Sequence, residues 1–326
     1  MGGEPMNIAI RFGIWLMALL SPLVARAEFW PDKPVRVIVT APTASAPDVM
    51  ARLIADRLSR AFGQQFIIDN RGGAGGNIGL GALRRLPGDG YALGVVHAAA
   101  ITLTHRTMRE MQYDFDKDFV PVALLASAPL MMVAAEHAPA KTLPDVLALA
   151  GSRPDTVTVA VPSINSVPHL ATEMVSQRSN GKLFTVPFNS STAAIQALLS
   201  RDVMLMTDGI AALASMVEAG RLKPVAVFSK DRLPQYPSVP TVTEFVPDTV
   251  VNGWFVLVAP RGTPEDVVTR LAREIEKSAA QSDIVARMAA LGMYPAPMSG
   301  SELQRFIRSE QDLWLGVTDQ LGVQRQ

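Results

Sequence analysis

From Val35 onward, short β-branched runs alternate with stretches whose apolar residues recur at helical spacing. A chain written this way folds into parallel sheets covered by helices, since each helix carries the chain back to begin the next strand in the same direction. The pattern predicts strands at Val35–Val39, Phe66–Ile68 and Leu93–Val96, then a strand or strand pair over Val120–Leu125 and Leu130–Val133. A second series follows at Val157–Val161, Phe184–Val186, Val203–Met206 and Val225–Phe228, and Trp254–Val258 is a late strand.

Helices are predicted where the stripes and their end signals coincide. Val49, Met50, Leu53, Ile54, Leu58 and Phe62 form one stripe that stops at Gly63. Thr142 and Asp145 frame a capping box for a helix over Pro144–Ala150, and Gly220 suits the C-cap of a helix over Ile210–Ala219. A further helix is predicted at Ala193–Leu199, a long one opens at Thr263, Pro264 and Asp266, and Ser299 with Glu302 opens the last.

The segment Leu233–Pro247 carries Pro234, Pro237 and Pro240 and reads as an irregular connection. With 326 residues the chain exceeds what one core of roughly 250–300 residues holds, so two domains are expected. If the late strand and helices rejoin the first sheet, the chain crosses twice between two α/β lobes and leaves a cleft between them. The expected limits are 28–125 plus 250–326 for lobe 1 and 126–249 for lobe 2.

Composition excludes several function classes. Thirty Lys plus Arg balance thirty Asp plus Glu without a basic cluster, so no nucleic acid partner is expected. Cysteine is absent, which removes disulfides, thiolate metal sites, cysteine nucleophiles and a lipidated N-terminal cysteine. Near the start, Arg11 precedes the apolar run Phe12–Leu20, and Ala25-Arg26-Ala27 is a small-x-small cleavage site. Ser21, Pro22 and Arg26 break the run before it reaches the ~20 residues of a membrane span. Residues 1–27 are thus expected to be a cleaved signal peptide, with a mature chain in the periplasm from near Glu28.

The motifs for chemistry are sparse. The cluster Gly72–Gly79 has Ile78 where a dinucleotide loop needs its third glycine, and reads as a turn that packs closely on a neighbour. His97, His105, His137 and His169 show no metal-binding spacing, and no Gly-x-Ser-x-Gly elbow occurs. No catalytic residue, metal or cofactor is expected. His169 reads as a packed or capping residue.

What remains is a set of polar loops at the C-terminal ends of predicted strands, where open parallel sheets bind ligands. The first loop, Ala41–Asp48, offers Ala44, Ser45, Ala46 and Asp48. His97 and Ala98 follow the third strand. Pro162–Pro168 offers Ser163, Asn165 and Ser166; Asn189–Thr192 offers Ser190, Ser191 and Thr192; and Asp208 is placed just past a strand. Helix N-termini follow three of these loops, so backbone N–H groups and helix dipoles suit a carboxylate.

The chain resembles the extracytoplasmic solute receptors of tripartite tricarboxylate transporters, also called Bug receptors. The resemblance rests on Trp30–Arg36, Asp48 with Ala51-Arg52, Asn70–Gly79, Asp89-Gly90-Tyr91, Val186-Pro187-Phe188, Trp254-Phe255 and Ala259–Pro264. It implies a periplasmic-binding-protein-like α/β fold whose two lobes close on a small solute, usually a carboxylate, and deliver it to membrane permease subunits. Departures fall in the loops. Ala44 and Ser45 stand where relatives carry a glycine pair, Pro47 replaces a usual threonine, Ser163 and Asn165 replace glycines, and Asn189-Ser190 replaces a lysine–glycine step.

Fewer glycines restrict φ, so the backbone of these loops is expected to curl less freely around an anion than in relatives. Without the lysine the expected ligand is a monocarboxylate, an amino acid or a neutral polar molecule, held by Ser163, Ser166, Ser190, Ser191 and Asp208. The protein is expected to be a monomeric, non-enzymatic receptor. Two other readings stay open: a sensory module that presents ligand to a membrane sensor kinase, and a small-molecule hydrolase or isomerase built on His97 and Asp208.

Overall fold

The structure, a computed structural model, describes residues 30–325 except 44 and 180. The expected signal peptide at 1–27 and the candidate Ala44 lie outside the described residues.

The first unit is β1 (Val35–Val39), α1 (Ala46–Phe62), β2 (Phe66–Asn70), α2 (Asn77–Arg84) and β3 (Ala92–His97). Alternate residues of β1 bury in opposite clusters, Val35, Val37 and Val39 on one face and Ile38 on the other, and only Arg36 is exposed, which is why the strand reads as a short β-branched segment. Met50, Leu53, Ile54 and Leu58 of α1 cover the first of these faces. Gly63 ends that helix at φ 69, its N–H bonded to the Ser59 carbonyl at 3.0 Å.

The short helices α3 (Ala98–Thr102), α4 (Thr104–Thr107) and α5 (Phe115–Asp118) lead into β4 (Phe119–Ala135). β4 is one strand of 17 residues, the single-strand form of the expected strand or strand pair, and it extends past the expected limits at both ends. Its first part pairs antiparallel with β9 (Asn252–Pro260), from Phe119↔Pro260 to Pro129↔Asn252, with register shifts near Pro121 and Leu124. Its second part pairs with β7 (Leu205–Gly209) on one side and β8 (Leu222–Val227) on the other. A proline lacks the N–H for a ladder bond, and the irregular register accommodates Pro121.

The second series runs α6 (Leu143–Ser152), β5 (Val157–Val161), α7 (Val167–Arg178), β6 (Leu183–Pro187) and α8 (Ser191–Leu199), then β7, α9 (Ile210–Glu218) and β8. Half of the expected capping box at α6 forms: Thr142 accepts from the Asp145 N–H at 3.3 Å, while the Asp145 carboxylate accepts from the Thr142 hydroxyl at 2.6 Å rather than from its backbone N–H. The strand path is β2-β1-β3-β9-β4-β7-β5-β6, with β8 also on β4. β4 thereby joins two sheets, each with three parallel strands. An apolar cluster lies on either face of each sheet.

After β9 come α10 (Glu265–Ala279), α11 (Ser282–Ala290), the short β10 (Met298–Ser299) on β4, and α12 (Gly300–Gln320). The last helix opens at Ser299 as expected, but the Ser299 hydroxyl makes no cap bond and donates instead to Glu276 Oε1 at 2.7 Å. α12 crosses the seam between the sheets. Leu303 and Ile307 pack with the first sheet, while Trp314 and Val317 pack with the second. An ion pair from Arg106 to Asp319 and a 3.3 Å bond from Arg106 Nε to Thr318 Oγ1 hold its far end.

Around the point where β4 passes from one sheet to the other, Ser127 and Tyr294 exchange backbone bonds of 2.8 and 2.9 Å. The Phe228 N–H bonds to the Leu130 carbonyl at 3.0 Å, so the irregular return from β8 to β9 runs beside the same point. Among the described residues, no helix is long and apolar enough to cross a membrane.

Candidate functional site

The C-terminal ends of β1, β3, β5, β6 and β7 carry the loops of interest. Registers place two of them near the crossing of β4: His97 lies opposite Phe255, itself opposite Ala126, and Asp208 lies opposite Met131. The strand ends of both lobes thus approach the seam, as ligand loops do in open α/β sheets.

In the first loop, Ser45 is the N-cap of α1 and donates its hydroxyl to the Pro42 carbonyl at 2.5 Å, while Ala46 begins the helix. Asp48 turns away into the lobe and is only 1% exposed. Asn70 Nδ2 reaches its Oδ1 at 2.9 Å and also the Ala41 carbonyl at 3.3 Å, and Arg52 Nε reaches its Oδ2 at 3.1 Å. Asp48 therefore fastens the loop to the end of β2.

The glycine cluster is a close-packed turn. A Cβ on Gly72 would lie 2.9 Å from the Ala41 carbonyl carbon, and one on Gly76 would lie 2.7 Å from Ala100 Cβ and 3.5 Å from His97 Nε2. Gly73, Gly75 and Gly76 all have positive φ. His97 sits against this turn as the N-cap of α3, followed by buried Ala98. Burial lowers the imidazole pKa to about 4, so His97 is neutral at neutral pH.

Across the seam, Asn165 adopts φ 57, the left-handed conformation that a glycine would take without cost. Asparagine tolerates this region better than other non-glycine residues, so Asn165 can hold it. Its N–H bonds to His169 Nδ1 at 3.1 Å, and Ser166 caps α7 by accepting from the His169 N–H at 3.3 Å. The Ser166 hydroxyl donates to the Ser163 carbonyl at 2.7 Å. His169 is accordingly a capping residue, lowered in pKa by burial.

Ser190 caps α8 by accepting from the Ala193 N–H at 3.1 Å, and Thr192 is exposed on the first turn. Asp208 lies within β7 rather than past its end, because Thr207 and Asp208 continue the ladder with Met132 and Met131. Its Oδ1 accepts from the Gly209 N–H at 2.7 Å, whereas Oδ2 is buried without a hydrogen bond. Burial raises its pKa to about 6, opposed by the neighbouring Ser191 hydroxyl and the Gly209 N–H. No hydrogen bond joins Asp208 to His97 among the described residues.

A cavity of about 520 Å³ opens between the lobes. Ala74 and Gly75 of the glycine turn, with Leu103 and Thr104, form one wall, and the Ser163–Val167 loop forms the other. Ser163, Asn165 and Ser166 were legible as candidates. The first wall was not, since the glycine turn read as packing alone and α3–α4 carry no motif; the only signal was the run of small residues and threonines after His97. Among the described residues no group of three or more His, Cys, Asp or Glu could hold a metal ion.

Two sheets joined by a shared strand, with polar strand-end loops facing each other across a cavity, define a two-lobed solute-binding protein. The model of the tripartite tricarboxylate transporter family receptor matches residues 50–323. The chain belongs to this family of solute-binding receptors. BugT of Bordetella pertussis is 30% identical over 298 residues, covering 91% of this chain and 91% of that protein. The structure of R. palustris Rpa4515 with adipate is 30% identical, with TM-score 0.81 over 91% of this chain and 100% of that one. MatC from Rhodopseudomonas palustris, solved with bound malate, is 29% identical, with TM-score 0.73 over 88% and 99%.

Proposed function

We propose that this protein is a periplasmic receptor that closes its lobes on a small carboxylate or similar polar solute and passes it to a tripartite tricarboxylate-type permease. The observation that carries the reading is the cavity whose walls come from both lobes, from Gly75 and Thr104 on one side and Ser163 and Asn165 on the other. A solute touching both walls stabilises the closed form, and only such differential contact shifts the equilibrium. The adipate and malate held by the two R. palustris relatives support a carboxylate ligand.

The lobes are assigned as 28–125 plus 250–326 and 126–249, with hinge motion about the β4 crossing and the return from β8 to β9. The carboxylate end is assigned to Ser45 and Ala46 of the first loop, His97-Ala98, and Ser190–Thr192 with Asp208. Asp48 is assigned to holding the first loop in place. The protein acts as a monomer without catalysis or nucleic acid, and residues 1–27 direct its export and are removed.

A thermal-shift screen against mono- and dicarboxylates, amino acids and neutral polar compounds tests the reading. A ligand at 100 times its Kd adds about 2.7 kcal/mol of stability, which moves the midpoint plainly. If no compound in the panel shifts it, the reading fails.

A further inference from the structure

By chain order α3, α4 and α12 belong to lobe 1, yet their apolar side chains divide between two cores. Ala98, Ala100 and Ile101 of α3 bury with Val96 and Trp254 of the first sheet. Leu103, 1% exposed at the break between α3 and α4, buries instead with Leu130, Met132 and Leu170 of the second. α12 changes sides in the same way: Leu303 and Ile307 lie in the first core, whereas Leu313, Trp314, Val317 and Leu321 lie with the second. Polar contacts join the two outlying pieces. Arg106 is ion-paired with Asp319 and donates to Thr318 Oγ1 at 3.3 Å, and Arg109 Nε donates to the Arg325 carbonyl at 3.4 Å.

A contiguous apolar core moves as one body, because separating its members exposes apolar area at roughly 25 cal/mol per Å². Leu103 and Trp314 cannot stay with the first sheet while the second swings without opening the core they share. Hinges fall at a few residues near element ends. Leu103 is such a point, its φ of −116 and ψ of −38 separating α3 from α4. In α12 the change of core falls between Ile307 and Leu313, where Glu310 accepts the Trp254 indole N–H at 2.8 Å.

We propose that α4 and the C-terminal half of α12 move with lobe 2, hinged at Leu103 and near Glu310, so that the body closing on the solute is larger than residues 126–249. Leu103, Thr104, Thr107 and Met108 then travel with the Ser163–Val167 loop, and of the cavity lining only Ala74, Gly75 and Ala99 stay with lobe 1. The Thr104 hydroxyl, 2.8 Å from the Gly75 carbonyl, becomes a contact between the two bodies. This division goes beyond the receptor reading and is the same whichever solute enters.

Hydrogen exchange of the native protein, read by mass spectrometry, reports which segments open together. Leu143→Ala loosens the second core and Leu271→Ala the first, each by loss of a fully buried side chain. Leu143→Ala should speed exchange in peptides covering residues 104–108 and 314–321 by at least about tenfold, as in α7, and leave α1 unchanged. Leu271→Ala should speed α1 and leave those peptides unchanged. Peptides that follow Leu271→Ala, or that respond equally to both, overturn the proposal. Should either variant fail to fold, spin labels decide, since the chain has no native cysteine. Gln177 on α7, Gln320 at the end of α12 and Arg60 on α1 are exposed helical positions. The distance distribution for Gln177→Cys with Gln320→Cys should be narrower than that for Arg60→Cys with Gln320→Cys; equal or reversed widths overturn the proposal. A thermal-shift screen without a hit removes the receptor reading and leaves this division standing.

Discussion

Trp254 donates its indole N–H to Glu310 Oε2 at 2.8 Å, tying β9 beside the lobe crossing to the helix α12 that spans both lobes. Burial raises the Glu310 carboxyl above its ordinary 4.5, and the Trp254 bond opposes that rise. A carboxyl with a raised native pKa holds its proton longer folded than unfolded, so its contribution is most favourable below 4.5 and declines as pH rises through the native value. Glu310→Gln keeps an acceptor for the indole and should flatten the pH dependence in that window. Glu310→Ala strands a buried donor and should cost about 1–3 kcal/mol, read by urea unfolding. Equal stability of the two variants would show that the bond does not hold the helix.

Asp208 gives a steeper case. Its native pKa of about 6 against an ordinary 3.8 means that the folded state binds the extra proton between those values. Stability from this group is greatest below 3.8 and lost as pH climbs through about 6. Asp208→Asn removes the buried charge in nearly the same volume. Above pH 6 it should raise stability by up to about 3 kcal/mol, since each tenfold difference in proton affinity between the folded and unfolded chain is worth roughly 1.4 kcal/mol. Unfolding midpoints measured across the acid-to-neutral range should lose their slope in the variant; an unchanged slope refutes the assignment.

Asp48 and Arg52 form an ion pair of unequal partners, the carboxylate 2% and the guanidinium 53% exposed at the side chain. Removing the exposed partner with Arg52→Ala should cost no more than about 1 kcal/mol. Asp48→Ala strips the buried acceptor from Asn70 and should cost about 1–3 kcal/mol. It should also weaken solute binding, since the first loop loses its tie to β2. Thermal unfolding and titration of both variants check the order, and a larger loss from Arg52→Ala would reverse the account.

Fold class was legible because largely buried strands leave short β-branched runs, as in Val35–Val39 and Val157–Val161, and because helix ends carry local chemistry, as at Thr142 and Gly63. The strand limits that differ from expectation have one source: tertiary pairing extends strands through residues of poor propensity. Pro121 and Pro129 stay in β4 because β9 runs alongside, and Thr207-Asp208 stay in β7 because Met131 and Met132 pair with them. The cavity wall from Ala74 to Met108 escaped notice because alanines, glycines and threonines advertise no chemistry until the opposite lobe faces them. The polar loops were legible, but the inward turn of Asp48 was not: a carboxylate in a ligand loop and one that fastens that loop look alike until Asn70 is seen beside it.

Asn165 isolates the effect of backbone conformation on the second loop. Its φ of 57 is maintained while its N–H bonds to His169 Nδ1 at 3.1 Å, a backbone bond that any substitution except proline preserves. Asn165→Gly removes the left-handed strain but frees the unfolded chain, so the two effects oppose each other and stability should change by only about 0.5 kcal/mol. Asn165→Ala has no side-chain amide to ease the same φ and should cost about 1–2 kcal/mol. Because Asn165 also lines the cavity, the alanine variant should bind solute more weakly than the glycine variant, by more than the loss of one amide group explains. Paired melting curves and titrations decide the point. If glycine and alanine behave alike, the loop does not depend on the left-handed residue, and some other contact shapes the cavity wall.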